Sequence, residues 1–456
     1  MSATKRKYDL TEGSILGKLL LVSLPIIGTQ VIQMTYNLTD MFWLGRLNSE
    51  AVAASGSVGM YLWMSMAFLI LGSRGAEIGV SQNLGKGDEA SARSISQSSL
   101  TMSLLIGAAV GGAMILLRGP LIGFFAIQEK QVVDAAESYL AIVSIGIPFN
   151  FATAAVNGTF NGSGNSRTPF VINVLSLGIN MVLDPIMIFG LNMGIEGAAL
   201  ATVIAQVTAC VLMTIALLRS KHRPFERYRL FTLPVAEDVK RILKWTTPIA
   251  IESFLFTFLS MIISRFVASF GTGAMAAQRV GSQVESLSWL VAGGFSMALT
   301  SFTGQNFGAG KWPRIREGFR LSSFLLMGYG VLITCLMFFG ADAIFRVFLP
   351  GEADVIAIGA QYLRILALCQ FLACLEAAAS GVFRGLGRTV PPSVVSATVN
   401  ALQVVLAYFL MRTPLGVNGL WWAMSIGGAA RGLWVFLWYL LAARKQPRNE
   451  DKALPA

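Results

Sequence analysis

Apolar residues fill this chain in long, unbroken runs, divided by short polar or glycine-bearing breaks. A helix needs roughly 20 such residues to cross a bilayer. The runs are continuous rather than alternating, so they predict spanning helices and not a barrel. Twelve spans are expected, at residues 16–44, 51–80, 94–118, 131–155, 163–190, 194–218, 241–270, 275–303, 318–341, 354–380, 389–412 and 416–442.

Polar side chains inside these spans carry the information. Within Pro25 to Leu44, the residues Gln33, Tyr36, Asn37 and Asp40 recur at spacings of three and four and share one helical face. An acid deep in a membrane costs at least ~2.5–3.5 kcal/mol on insertion scales, so this stripe must face protein or a wet cavity. The expectation is a transport pathway with Asp40 as its protonation switch. In the fifth span, Asn173, Asn180 and Asp184 form a second one-sided set. Pro185 leaves the carbonyl of Met181 without its helical partner, which predicts a bent, hydrated spot beside that acid. Asn157 ends the fourth span and Thr202 lies in the sixth.

The other charges within spans are Arg74, Glu77, Glu252, Arg265, Arg279, Glu285, Arg364, Glu376 and Arg431. Structural roles or helix-end positions are the readings favoured for most of them. Arg74 and Glu77, three apart, are expected to pair across one turn. Glu252 and Glu376 stand out as candidate acids of the second half. The 19 Met and 29 Phe are read as packing and lipid-facing bulk before any adaptable ligand wall.

The two halves match at an offset of 223. Pro25-Ile26 pairs with Pro248-Ile249, and Gln82-Asn83 with Gln305-Asn306. The glycines of Gly158 to Gly164 pair with those of Gly381 to Gly387, and at an offset of 222 Gly194 and Gly197 pair with Gly416 and Gly419. An even number of spans per half gives both the same insertion, so the axis relating them runs along the membrane normal. The expected fold is an all-α polytopic membrane protein of two six-helix lobes: 1–218, a cytoplasmic linker at 219–240, the second lobe at 241–442, and a disordered tail at 443–456. At the same offset Asp40 meets Ile263 and Asp184 meets Ala407, so the fold accepts apolar residues at both places and the acids serve a function confined to the first half.

Composition then narrows the class. The chain is 54% hydrophobic and 13% charged, against about 25% charged in soluble domains. Its net charge of +11 invites a nucleic-acid reading, but 25 of the 35 Lys and Arg fall in, or at the span ends bordering, segments that are cytoplasmic if the N-terminus is. That is the positive-inside bias, which orients the protein with both termini inside. The basic start leads straight into the first span, with no cleavable signal expected. Cys210, Cys335, Cys369 and Cys374 all lie in spans without metal-ligand spacing, and the one histidine, His222, lies in a basic loop. Proton chemistry in the membrane therefore falls to carboxylates. Asn83-Leu-Gly-Lys-Gly is a fragment of a phosphate loop without its strand or Lys-Ser/Thr ending, and reads as a tight turn. An intramembrane enzyme would need clustered acids or a Ser/His pair, and neither occurs.

The residues Asn37-Leu-Thr-Asp-Met-Phe-Trp-Leu-Gly45, Gln82 to Gly87, Gly158 to Pro169 and Gln305 to Gly310 carry a resemblance over nearly the whole chain. It is similar to the multidrug and toxic compound extrusion (MATE) transporters, and most closely resembles their prokaryotic DinF-like branch. The resemblance implies antiport of lipophilic organic cations against H+ or Na+ by alternating access in an inner membrane. It places Asp40 and Asp184 at that branch's coupling acids, with Asn157, Asn180 and Thr202 as further members of the polar cluster and Pro25 as the hinge of the first helix. Gln33, Tyr36 and Asn37 join the expected substrate pathway. Glu252 and Glu376 stand at different spacings from the helix 7 and helix 10 acids of other branches, so no sodium site is carried over to the second half, and protons are the expected coupling ion. The partners expected are small cations and membrane lipid, with the chain acting as a monomer and no nucleic acid or cofactor involved. The rivals are a Na+-coupled drug antiporter and a flippase for a lipid-linked saccharide or lipid, the latter needing Arg74, Arg265, Arg279, Arg364 and Arg431 to converge.

Overall fold

The structure, a computed structural model, describes residues 8–125, 127, 129–220, 223–230, 232–348 and 352–444. The expected tail beyond Arg444 and His222 fall outside these residues. Every regular element among the described residues is helical. The first half comprises α1 (Ile15–Leu47), α2 (Ser49–Gly85), α3 (Glu89–Leu116), the short α4 (Arg118–Gly123), α5 (Lys130–Gly162), α6 (Arg167–Pro185) and α7 (Gly194–Arg219). The second comprises α8 (Ala236–Ala268), α9 (Thr272–Gly308), α10 (Trp312–Phe339), the short α11 (Ala341–Phe348), α12 (Ala353–Gly385), α13 (Val390–Leu410) and α14 (Val417–Arg444). The protein is thus an all-helical, multi-pass membrane protein. Eleven of these helices are long and apolar enough to cross a bilayer. The twelfth long helix, α9, is the exception because Arg279, Ser282 and Gln283 interrupt its apolar surface.

The described chain divides into two units. One holds Leu21–Ala250 with the described residues before Thr11, and the other holds Thr11–Leu20 with the residues from Ile251 onward. Each unit is built on closely packed helices, and the glycines say why. Gly158 and Gly162 of α5 lie against the backbone carbonyls of Ser73 and Glu77 on α2, where any Cβ would collide. Gly381 and Gly385 of α12 lie in the same way against the carbonyls of Ser296 and Thr300 on α9. In membranes small residues at such crossings let helix backbones approach. The repeat read from the sequence therefore extends to the packing: the donors and receivers of each contact are 223 residues apart.

The breaks repeat as well. Gly87 and Gly310 both turn the chain in the left-handed region, at φ 77° and 73°, where glycine alone is free of a Cβ penalty. The first of these closes the Asn83-to-Gly87 segment as a tight turn before α3. There the Asp88 side chain caps α3 by accepting from the Ser91 amide at 2.9 Å, and those bonds hold its carboxyl below its ordinary range.

The segment before α8 is fitted rather than loose. Arg93, Gln97 and Thr101 of α3 donate to the carbonyls of Arg227, Arg229 and Thr232, and Ser98 Oγ accepts from the Val235 amide. Phe225 and Tyr228 stack with ring centroids 5.8 Å apart. Ile242 and Trp245 of α8 then fill the spaces left beside Gly75 and Gly79 of α2.

Candidate functional site

The first unit brings four helices to one polar cluster. Asp40 and Tyr36, one turn apart on α1, are half-buried. Asn180 and Asp184, one turn apart on α6, are buried, and Asn180 Nδ2 donates to Asp184 Oδ1 at 3.4 Å. From α7, the Thr202 hydroxyl lies 3.4 Å from that of Tyr36. Asp184 lies within electrostatic reach of Asp40.

Tyr139 of α5 completes the cluster, within electrostatic reach of Asp40, Tyr36 and Asp184. The sequence reading missed it, although its repeat counterpart is Tyr362 and both are buried. It also missed Gln206, one turn along α7 from Thr202, whose side chain fits because residue 146 is glycine.

Other members of the expected set stand elsewhere. Gln33 Nε2 donates to Asn37 Oδ1 at 3.2 Å, and both side chains are exposed, so the α1 stripe splits into an inward pair and an outward pair. Asn157 lies eighteen residues from Tyr139 on the same helix, roughly 27 Å at the α-helical rise. The structure does not bring it to the acids. Pro25 sits inside α1 without breaking it, and its carbonyl accepts from Thr29 Oγ1 at 3.0 Å.

The proline beside Asp184 ends α6, and a π-helical turn, Ile186–Gly190, follows. A missing N–H cannot close an α-turn, and widened turns of this kind recur at functional sites. The turn brings Phe189 edge-on to Trp43, 6.1 Å between centroids.

The electrostatic character of the cluster is one-sided. Asp40 Oδ1, Asn180 Oδ1 and Asp184 Oδ2 are buried without a hydrogen-bond partner, as is the nearby Gln206 Oε1. No Lys or Arg forms an ion pair with either acid among the described residues. The unsatisfied atoms are oxygen acceptors, two of them on carboxylates, and suit a proton or a hard cation. The described residues hold no group of three or more His, Cys, Asp or Glu suited to a bound metal.

The charges of the second unit are mostly neutralised. Glu252 accepts from Ser393 Oγ at 2.7 Å and lies 3.9 Å from Arg384. Glu376 accepts from Arg431 Nε at 2.7 Å, and Arg431 also donates to Asn400 Oδ1. Arg364 pairs with Asp342, and in the first unit Arg74 donates to Glu77 at 2.8 Å, across one turn as the sequence implies.

A duplicated bundle of membrane helices with a pair of uncompensated acids clustered in one half is the build of a secondary transporter. The MatE family model matches residues 25–186 and again 248–409. The chain belongs to this family, which consists of transporters and not enzymes. It is 27% identical over 413 residues to the "Probable multidrug resistance protein NorM" of Thermotoga maritima, covering 89% of this chain and 88% of that protein. It is 28% identical over 346 residues to the "FAD transporter" of Shewanella oneidensis, covering 74% and 75%. Its fold matches, with a TM-score of 0.89 and 22% identity, a solved structure described as the outward-facing conformation of a multidrug resistance MATE family transporter, covering 98% of this chain and all of that one.

Proposed function

We propose that this protein is a multidrug exporter of the DinF-like branch, moving lipophilic organic cations out of a prokaryotic cell in exchange for protons. Both termini lie in the cytoplasm, and the two six-helix repeats act as lobes that alternate access. Asp40 and Asp184 hold the coupling ion as one titrating pair, with Tyr36, Asn180 and Thr202 around them. The observation that carries this reading is the pair of acids, brought together from α1 and α6 with unsatisfied buried oxygens and no basic partner among the described residues. Deprotonated, the cluster attracts a cation; protonated, it does not. Coupling requires that the proton favour one conformation over the other, and Pro25 supplies the place where α1 bends.

Protons are preferred to sodium because the second repeat lacks unpaired acids at the Glu252 and Glu376 positions. Export of an anion, whether a lipid-linked phosphate or a dinucleotide, is disfavoured by the arginines: Arg74, Arg364 and Arg431 are each taken by an acid. The test is the proton release that follows ethidium addition to purified protein, measured with and without sodium. Release independent of sodium supports proton exchange, and binding that needs sodium and releases no proton overturns it.

A further inference from the structure

One acid midway along a long helix of the second unit makes no ion pair among the described residues. Glu285, midway along α9, has no Lys or Arg nitrogen within ion-pair distance among the described residues. Its partners are neutral donors: Trp289 Nε1 at 3.4 Å, the Tyr362 hydroxyl at 3.2 Å and Gln370 Nε2 at 3.3 Å. Tyr362 reaches it because Gly281 leaves room for the ring, which is fixed edge-on to Trp421 at 4.7 Å. Gln370 keeps its Oε1 buried and without a partner.

Two aromatic rings stand beside this acid with open surface. Trp289 is 45% and Phe256 46% exposed, and their centroids are 6.4 Å apart. Arg431 lies 5.5 Å over the Trp289 ring, but its charge is already met by Glu376. The surroundings are polar as well. Arg279, Ser282 and Gln283 are exposed on α9, and Glu285 and Trp289 continue the row from Ser282 at steps of three and four. A polar row of this kind survives at membrane depth only against protein or water, so the open rings border a wet surface and not lipid.

We infer that Glu285, Trp289 and Phe256 form a seat for a flat aromatic organic cation within the second unit. The inference rests on the proposed function above and names a second place where the exported cation is held. The carboxylate supplies the counter-charge. The rings stack on the faces of the ligand and add cation–π attraction. Tyr362 and Gln370 fix the carboxylate. A neutral lipophile of the same size gains the stacking but not the charge pairing, so the site selects for positive charge.

The test uses the full-length protein in lipid nanodiscs, titrated with ethidium and followed by its fluorescence. Glu285→Gln and Trp289→Ala should each weaken ethidium binding about tenfold. Nile red, a neutral lipophile, should bind Glu285→Gln as it binds the wild type. Glu285→Asp, which keeps the charge, should retain more affinity than Glu285→Gln, separating loss of charge from loss of fold. Equal ethidium affinity in wild type and Glu285→Gln overturns the seat while leaving the proposed export standing. A wild type that neither binds nor exports any lipophilic cation overturns the export reading, and the seat with it.

Discussion

At matched positions the two repeats hold opposite chemistry. Asp40 corresponds to Ile263 and Asp184 to Ala407. The first pair is polar, with unsatisfied oxygens; the second is buried in the apolar core of its unit, at 3% and 0% exposure. The α2–α5 and α9–α12 crossings of the two repeats are nevertheless alike, down to the glycines that meet the carbonyls of Ser73 and Ser296. The architecture therefore does not require the acids. Packing is what the duplication kept, and charge is where the halves parted.

The sharpest way to break this comparison is to give the second repeat what the first one has. Ile263→Asp places an unpaired carboxylate in a dry core and should cost at least ~2.5–3.5 kcal/mol. Loss of the monodisperse peak on heating detergent-solubilised protein checks this, and a variant as heat-resistant as the wild type would show that the second core is wet. The converse change removes the charge from the first repeat. Asp40→Asn should lower pH-driven ethidium efflux about a hundredfold, or roughly 2.7 kcal/mol of coupling, with little change in heat resistance. Efflux from Asp40→Asn with the wild-type pH dependence would sink the switch.

A smaller effect tests the shared packing. Gly158→Val and Gly381→Val each force a side chain into a backbone contact and should destabilise by similar amounts, about 1–3 kcal/mol. Strongly unequal losses in thermal unfolding would show that the repeats do not share this crossing. The smallest effect lies at the starts of α3 and α10. Asp88 caps α3, while its counterpart Lys311 makes no cap bond. Because the Asp88 carboxyl is held below its ordinary range, its stabilisation is present above the unfolded value and is lost as pH falls through the folded one. Protection factors at the first turn of α3, with the intrinsic pH dependence of exchange divided out, should thus fall in acid, while those of α10 show no such change. Asp88→Asn should abolish the dependence and keep the cap.

Much of this was legible before any coordinates. Continuous apolar runs fix the spans because the bilayer imposes their length, and the offset of 223 fixes the duplication. The Tyr36–Asp40 and Asn180–Asp184 pairs were readable because one turn of helix puts both members on one face. What failed was position along an axis: Asn157 is polar and in the same half, yet eighteen residues of rise separate it from Tyr139. Counting that rise would have excluded it. Of the partners of Glu285 only Trp289, one turn along, was readable, because Tyr362 and Gln370 arrive from a helix well over seventy residues later. Glu252 and Glu376 looked like free acids for the same reason, their arginines being distant in the chain.

The fitted segment before α8, with the first turns of that helix, has a consequence for biosynthesis. The first unit takes in Ile242 and Trp245, which seat beside Gly75 and Gly79 of α2. A chain emerging from the ribosome cannot finish that unit when α7 is made; it must wait until the opening turns of the next repeat have been translated. Cutting the gene at Arg219, the last residue of α7, would yield a fragment with open sockets on α2, whereas a cut after Ala250 would keep the side chains that fill them.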